Sequence, residues 1–332
     1  MRIRTVDYHT AGEPFRIVVE GAPLLTGVTV AERRVHAQRD VDAERVRTLL
    51  VNEPRGHADM YGCYVVEPDD GGADLGVVFW HKDGYSTACG HGTIALATWA
   101  VETGRVAGDP DGDTDVTIDV PSGRVGAKVR RRGGRIVDVT FRNVDSYVIA
   151  RGIVIETSRG TVEVDVSYGG AIYASVAADA AGLRVEPERY PELIAFGREV
   201  KAAVGETPSA RHPVDDRQSG IYGTIIYDDL RRTADGPHQR NVTVFADGEV
   251  DRSPCGSGTG ARVALLADDG TLARGDTLTH DSIVGTRFSA HALPGSRPDA
   301  VVPEVVGAAY RTGEHLFVLD DDDPLQTGFV LR

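Results

Sequence analysis

Two stretches of the chain repeat one pattern of polar and apolar positions. In each, a cysteine and a glycine-rich turn are followed by an apolar run with helical spacing. The first stretch begins at Cys89 and its apolar run covers residues 94–101, and the second begins at Cys255 with a run over residues 261–267. A glycine follows three positions after each run. Since glycine readily adopts the left-handed conformation that ends helices, the pattern predicts two helices, each with a cysteine at its N-terminus.

The other apolar positions alternate as in strands or recur at helical spacing. Helices are predicted at residues 41–50, with Asp40 or Asp42 as the N-cap, and at residues 190–204. Strands are predicted at residues 62–67, 75–81, 116–120, 124–129, 135–141, 147–155, 161–166 and 241–245. Many strands combined with few helices indicate an α+β class with mostly antiparallel pairing.

The order of these elements recurs in the second half of the chain. The strand at residues 161–166 leads into Tyr168-Gly169-Gly170, as the N-terminal strand leads into its own glycine turn, and Tyr222-Gly223 corresponds to Tyr61-Gly62. A repeat at about half the chain length predicts a duplicated domain with pseudo-twofold symmetry. Equivalent elements would then face each other across a cleft.

Composition and charge exclude several classes of function. The chain has 332 residues, of which 41% are apolar, enough for two domains of ordinary size. Its net charge is −14 with no basic cluster, which disfavours nucleic acid and anionic membranes as partners. No apolar stretch approaches the roughly 18 residues of a membrane span, and the N-terminus has no signal-peptide core. Three cysteines form no disulfide framework, so a cytoplasmic location is expected.

A cysteine at a helix start has a defined chemistry. The partial positive charge and unpaired N–H groups there lower the thiol pKa from about 8.5 toward neutrality, and the same N–H groups bind a carboxylate. Most cysteines are buried core residues, and Cys63, in a predicted strand, keeps that interpretation. The matched positions of Cys89 and Cys255 indicate instead that these two cysteines have a functional role. If the two helix starts face each other, one thiol can remove the proton next to a carboxylate and the other can return one on the opposite face.

Several further motifs occur in a fixed order along the chain. They are His9-Thr10-Ala11-Gly12-Glu13-Pro14, Glu53-Pro54-Arg55-Gly56-His57, Tyr168-Gly169-Gly170, Asp251-Arg252-Ser253-Pro254-Cys255 and Asp322-Asp323-Pro324-Leu325. Together with the two stretches that begin at Cys89 and Cys255, these motifs make the chain resemble the proline racemase superfamily. The members of that superfamily are proline racemases, 4-hydroxyproline 2-epimerases and trans-3-hydroxy-L-proline dehydratases. His9 and Glu13 are explained equally well by a polar turn or by a role in the site.

The resemblance implies a fold and a domain organisation. It implies a duplicated fold similar to diaminopimelate epimerase, with two pseudo-symmetric domains whose strands each curl around a central helix. We place the first domain, with Cys89, at residues 1–158, and the second, with Cys255, at residues 159–304. By the same resemblance, residues 305–332 return to the first domain, and the protein forms a homodimer.

The resemblance also implies roles for single residues. Cys89 and Cys255 match the two catalytic positions, which act without cofactor or metal on a small cyclic amino acid. The matching substrate-binding positions are Gly90, His91, Asp251, Gly256 and Ser257. Asp251 would contact the ring nitrogen and the others the carboxylate. From the residues alone, Asp251 is equally typical of a turn, and His91 of a polar first helical turn.

Two features of the resemblance point to different reactions. The stretches around residues 222–225, 244–247 and 320–329 look like the dehydratase branch, in which a threonine typically stands in place of Cys255. The cysteine pair instead favours a racemase or epimerase of proline or hydroxyproline-like amino acids, because the number of acid and base groups decides the fate of the carbanion. Dehydration of trans-3-hydroxy-L-proline, a lyase reaction, is the alternative, as is a reaction on another substrate.

Two interpretations from other classes stay open. Residues 256–260, Gly-Ser-Gly-Thr-Gly, resemble a phosphate-binding loop, but no Gly-Lys-Ser/Thr follows them. Cys89 and Cys255 could also form a switchable disulfide in a redox protein. Titration of thiols with and without oxidant would separate that use from catalysis.

Overall fold

The computed structural model describes residues 1–331, which divide into two compact units. Unit 1 comprises Met1–Val139 and the chain from Ala308 onward, and unit 2 comprises Thr140–Gly307. In the part of the chain that the structure describes, no helix is long and apolar enough to cross a membrane.

The elements are mixed α and β, with strands in the majority. The first part of the chain forms β1 (Arg2–Thr10), β2 (Glu13–Glu20), α1 (Val30–Ala37), α2 (Val41–Val51), β3 (Gly62–Val66), β4 (Leu75–Trp80), α3 (Gly90–Glu102), β5 (Asp113–Val120), β6 (Gly123–Arg132) and β7 (Arg135–Arg142). The remainder forms β8 (Ser146–Thr157), β9 (Gly160–Tyr168), β10 (Ile172–Ala177), α4 (Tyr190–Gly205), β11 (Ile221–Asp229), β12 (His238–Phe245), β13 (Glu249–Asp251), α5 (Gly256–Asp268), β14 (Leu278–Ser282), β15 (Arg287–Pro294), β16 (Ala300–Gly307) and β17 (Ala309–Val318).

In unit 1, the strands surround a buried helix. β1 pairs antiparallel with both β2 and β17, β2 pairs parallel with β3, β3 antiparallel with β4, β4 parallel with β5, and β5 antiparallel with β6. Helix α3 contacts β1, β2, β5, β6 and β17. It is buried from Gly90 to Val101, as expected of a helix that is apolar on all sides.

In unit 2, the strand ladders close into a ring. The order is β8, β9, β10, β11, β12, β14, β15, β16 and back to β8, with parallel pairing only between β10 and β11 and between β12 and β14 among these. A closed ring leaves no open sheet edge. Helix α5 contacts β8, β9, β10, β15 and β16 and is buried from Gly256 to Leu266.

The two units follow one pairing order. From β1 to β6 the successive pairings are antiparallel, parallel, antiparallel, parallel and antiparallel, and the same order runs from β9 through β10, β11, β12 and β14 to β15. The amphipathic helices α2 and α4 follow the second strand of each series, and α3 and α5 follow the fourth. The structural division lies before residue 158 because β8 and β9 form one hairpin within unit 2.

The helices predicted from periodicity are present, and two kinds of element were not predicted. Helix α2 begins at the predicted cap, where the Asp40 carboxylate accepts a hydrogen bond from the Ala43 N–H at 2.7 Å. Helix α4 buries Leu193, Phe196 and Val200 in the core of unit 2. Helix α1 was missed because it is short and mostly polar, with only two buried residues. Strands β10, β13 and β14 to β17 also lay outside the sequence prediction.

Candidate active site

Cys89 caps helix α3. Its backbone is extended, with φ −155°, and its sulfur accepts a hydrogen bond from the Gly92 N–H at 3.3 Å. The residue is only 4% exposed. The predicted position of this thiol at a helix start is therefore confirmed.

His91 lies in the first turn of the same helix, among aromatic rings. Each of its ring nitrogens lies 3.5 Å from the Cys89 sulfur. Its ring stands edge-on to Phe15 at 5.7 Å and to Tyr61 at 5.0 Å between centroids. The Thr10 hydroxyl donates to its backbone carbonyl at 2.9 Å. A buried imidazole beside the sulfur can stabilise a thiolate or exchange a proton with it.

Cys255 caps helix α5 with a different backbone conformation. Its φ is +63°, which is strained for a residue with a side chain and costs about 1–3 kcal/mol. Its N–H donates to the Ser253 hydroxyl at 3.0 Å, and its carbonyl accepts from the Thr259 N–H at 2.6 Å. These bonds hold the turn, and the sulfur accepts from the Gly258 N–H at 3.3 Å, as Cys89 does from Gly92.

The acidity of Cys255 differs from the sequence-based expectation. Burial raises the pKa of its thiol well above the ordinary value, and the nearby Asp251 carboxylate raises this pKa further. Hydrogen bonds from the Gly258 N–H and the Tyr173 hydroxyl act in the opposite direction and are outweighed. The prediction of a lowered pKa was wrong for Cys255, because desolvation disfavours the thiolate more than the helix start favours it. The Cys255 thiol is protonated at neutral pH.

Asp251 lies at the end of β13 and is 4% exposed. One of its oxygens accepts from both the N–H of Ser253, at 2.8 Å, and the hydroxyl of Ser253, at 2.7 Å. Ser253 in turn holds the Cys255 N–H. The turn role considered for Asp251 is therefore present, and its carboxylate is also close enough to affect the Cys255 thiol.

Tyr173, on β10, was not predicted as a site residue. Its hydroxyl lies 2.7 Å from the Ser257 hydroxyl and 3.7 Å from the Cys255 sulfur. It is fully buried and stands edge-on to Tyr222. Its position four residues after Gly169 is a weak sequence signal. Gly169 itself approaches α5 so closely that a Cβ atom would lie 2.4 Å from the Ser257 carbonyl oxygen.

The glycine three positions after each cysteine leaves the space that the cysteine sulfur occupies. A Cβ atom at Gly92 would lie 2.7 Å from the Cys89 sulfur and 2.4 Å from the Phe15 ring. One at Gly258 would lie 2.9 Å from the Cys255 sulfur. Carbon atoms do not approach sulfur this closely without displacement, so both glycines keep a position open for the thiol.

The structure brings the predicted site residues together in two sets. Cys89, Gly90 and His91 lie in unit 1 at the start of α3, and Asp251, Cys255, Gly256 and Ser257 lie in unit 2 around the start of α5. The meeting of the two sets across a cleft stays a prediction. His9 lies near the end of β1, where its Nδ1 accepts from the N–H of Gly12 in the following turn at 3.2 Å, and Glu13 is buried at the start of β2.

Comparison with known proteins identifies relatives over the whole length. The chain is 47% identical over 335 residues to a trans-3-hydroxy-L-proline dehydratase of Burkholderia cenocepacia (strain HI2424), covering 99% of this chain and 98% of that one. It is 46% identical over 338 residues, with the same coverage, to a 3-hydroxyproline 2-epimerase of Burkholderia multivorans (strain ATCC 17616 / 249).

A solved structure has the same fold. It is a hydroxyproline epimerase from Agrobacterium vitis with bound trans-4-OH-L-proline, with a TM-score of 0.90 and 29% identity over 99% of this chain and 96% of that one. The proline racemase family matches residues 5–330. Since this match covers nearly the whole sequence and both cysteine helices, the chain is an enzyme of the proline racemase family.

Proposed function

We propose that the protein is a cofactor-independent 3-hydroxyproline 2-epimerase that uses Cys89 and Cys255 as its two acid and base groups. The observation that carries this proposal is Cys255. It places a second thiol at a helix start, hydrogen-bonded to a helix N–H like Cys89. The proposal takes units 1 and 2 as duplicated copies whose helix starts face one substrate. The names of the relatives narrow the expected substrate from proline-like amino acids to 3-hydroxyproline.

The reaction requires stabilisation of a carbanion. One thiolate takes the proton from C2, and the electron pair of the broken C–H bond delocalises into the carboxylate. The N–H groups at the starts of α3 and α5, at Gly90, His91, Gly256 and Ser257, would hold that carboxylate. Preorganised donors in a closed site stabilise developing charge far better than water does. The other thiol then donates its proton to the opposite face of C2, and the configuration inverts.

The protonated state of Cys255 fits the donor role. Because burial and Asp251 raise the pKa of its thiol, Cys255 carries a proton in the resting enzyme. It would therefore donate to C2 first, while Cys89, beside the His91 imidazole, would act as the base. For the opposite enantiomer the two roles exchange. Asp251 would also contact the ring nitrogen of the substrate, as the family resemblance implies.

Dehydration is the second candidate, and the dehydratase relatives favour it. After Cys89 removes the C2 proton, the electron pair would expel the 3-hydroxyl group. That group leaves as water when an acid protonates it, and the double bond formed between C2 and C3 gives an enamine that tautomerises to a cyclic imine. The protonated Cys255 thiol could supply this proton to the leaving oxygen. The two candidates thus share the first step and differ in where the second proton goes.

One experiment separates the candidates. The purified protein is incubated without cofactor in heavy water with trans-3-hydroxy-L-proline, and the products are identified by proton NMR and chiral chromatography. Epimerisation predicts the cis-3-hydroxy-D isomer with deuterium at C2. Dehydration predicts the cyclic imine, which forms a coloured adduct with 2-aminobenzaldehyde. If neither product appears from 3-hydroxyproline, 4-hydroxyproline or proline, the proposed substrate class is wrong.

Two variants and a control define the role of the second thiol. Cys255→Ser should stop inversion, and Cys255→Thr should favour water loss if the scaffold is that of a dehydratase. Cys63→Ala is the matched control, since Cys63 is a fully buried thiol in β3. It should keep the activity of the wild type. Homodimer formation stays a prediction, which light scattering can test.

A further inference from the structure

The structure assigns a second small-molecule site, within unit 2, that binds a small monocarboxylate through Arg262. The site is a cavity of about 300 Å³ between helix α5 and the strands β11 and β12, with Arg151, Arg232 and Arg262 among its lining residues. No role in epimerisation or dehydration is assigned to any of these residues. Binding of a ligand at this cavity can therefore be tested independently of the proposed function.

Arg262 is a buried cation held in a fixed orientation. It lies on α5 and is 3% exposed. Its guanidinium carbon lies 3.9 Å from the centre of the Tyr227 ring, and its Nε donates to the Gln239 side-chain oxygen at 3.2 Å. Gln239 is fixed in turn by its amide, which donates to Asp229. Stacking and the Nε bond use one face and one N–H of the guanidinium.

The outer edge of this guanidinium has no acceptor among the described residues. The bond to Gln239 is its single hydrogen bond there, and no carboxylate of the described chain forms an ion pair with it. The other two arginines of the cavity are neutralised. Arg151 pairs with Asp268 at 2.9 Å, and Arg232 pairs with Asp276. A buried cation is stabilised by a hydrogen-bonded anion, so a carboxylate bound in the cavity would pair with the N–H groups of the Arg262 terminal nitrogens.

The cavity favours a single negative charge. The two terminal nitrogens of a guanidinium present parallel N–H groups that match the two oxygens of a carboxylate. Three acids, Asp165, Asp229 and Asp269, also line the cavity and offset its three arginines. Beside these three carboxylates, a dianion such as hydrogen phosphate would meet twice the repulsion that a monoanion meets. A small monocarboxylate, with or without an amino group, therefore fits best.

The test uses acetate as the probe and the whole protein. Titration with sodium acetate is followed through the Nε–Hε signals of the arginines in proton–nitrogen NMR spectra. The Arg262 signal is identified by its loss in Arg262→Lys. We expect this signal to shift with saturation under acetate and to stay in place under sodium chloride of equal ionic strength. An unmoved signal, or an equal shift with chloride, overturns the proposal. Saturation by phosphate at lower concentrations than acetate overturns the assignment to a monocarboxylate.

A matched pair of variants tests the same point without relying on that signal. Arg262→Met should weaken acetate binding, measured by saturation-transfer difference NMR, by at least about tenfold, because a bidentate charged pair is lost. Arg232→Met lines the same cavity but removes a cation that already has a partner, and should change binding less than about threefold. Circular dichroism verifies that both variants fold. If Arg262→Met does not fold, Arg262→Lys, which keeps the charge, is measured in its place. Equal effects of the two substitutions contradict the proposal.

Discussion

Gly258→Ala tests whether the position of the Cys255 sulfur controls turnover. Gly258 is the third residue of α5, and its N–H donates to that sulfur at 3.3 Å. A Cβ atom there would lie 2.9 Å from the sulfur and 3.2 Å from the Ile225 Cδ1. The sulfur ends a short side chain and can move by rotation about χ1. The added methyl group should therefore displace the thiol and leave the helix in place.

The expected magnitudes separate activity from stability. Extra atoms in a packed interior cost about 1–3 kcal/mol, while alanine in place of glycine within a helix returns about 1 kcal/mol. The net loss of unfolding free energy should therefore be about 0–2 kcal/mol. A displacement of about 1 Å at a reacting group costs about 100-fold in rate. Turnover should thus fall by about two orders of magnitude in a protein that stays folded.

The assay measures formation of the cis-3-hydroxy-D isomer from trans-3-hydroxy-L-proline, the step that needs Cys255, beside urea unfolding followed by circular dichroism. Gly205→Ala is the matched control, since Gly205 ends helix α4 and a Cβ atom there meets nothing within 4 Å. It should leave the rate of inversion unchanged. Inversion by folded Gly258→Ala within about threefold of the wild-type rate would contradict the predicted displacement of the sulfur.

Three further predictions concern the thiol and the unit 1 core. Tyr173→Phe removes a hydrogen bond that lowers the pKa of the Cys255 thiol. With the cis-3-hydroxy-D isomer as substrate, for which Cys255 is the base, the rising limb of the pH–rate profile should therefore move to higher pH with about a tenfold loss of rate at neutral pH. An unmoved limb contradicts this. The rate of Cys255 alkylation by iodoacetamide should still increase with pH above about pH 9.5, because the thiolate forms only well above the ordinary pKa. A rate that reaches a plateau near neutral pH would contradict the raised pKa. Asp7→Ala leaves buried Arg16 without its carboxylate partner, which lies at 2.8 Å. It should lower the unfolding free energy, measured in urea, by about 3–5 kcal/mol. A loss below about 1 kcal/mol, typical of an exposed ion pair, would be inconsistent with the burial of this pair.

The cysteine helices could be predicted from the sequence because their signals are local. A cap residue, a glycine turn and an apolar run occupy consecutive positions, and α3 and α5 form there as expected. Both helices begin at the glycine directly after the cysteine, as the cysteine and the glycine-rich turn predicted. Hydrophobic periodicity alone marks only the later part of each helix, since glycine and serine in the first turn carry no hydrophobic pattern.

Properties that depend on distant parts of the chain could not be predicted. The positive φ of Cys255 depends on hydrogen bonds made by Ser253 and Thr259. Its raised pKa depends on burial by elements far away in sequence, which outweighs the helix start that the sequence does reveal. Tyr173 reaches the sulfur from β10, 82 positions away along the chain. The unpaired Arg262 likewise becomes visible only when its neighbours are in place.

The two-thiol mechanism is tested most directly by the configuration at C2 after reaction in heavy water, compared between the wild type and Cys255→Ser. The two-thiol mechanism predicts that the wild type forms the cis-3-hydroxy-D isomer carrying deuterium at C2. It predicts that the variant, which has lost its second thiol, forms none of this isomer. Inversion by Cys255→Ser at a rate similar to that of the wild type would contradict the two-thiol mechanism.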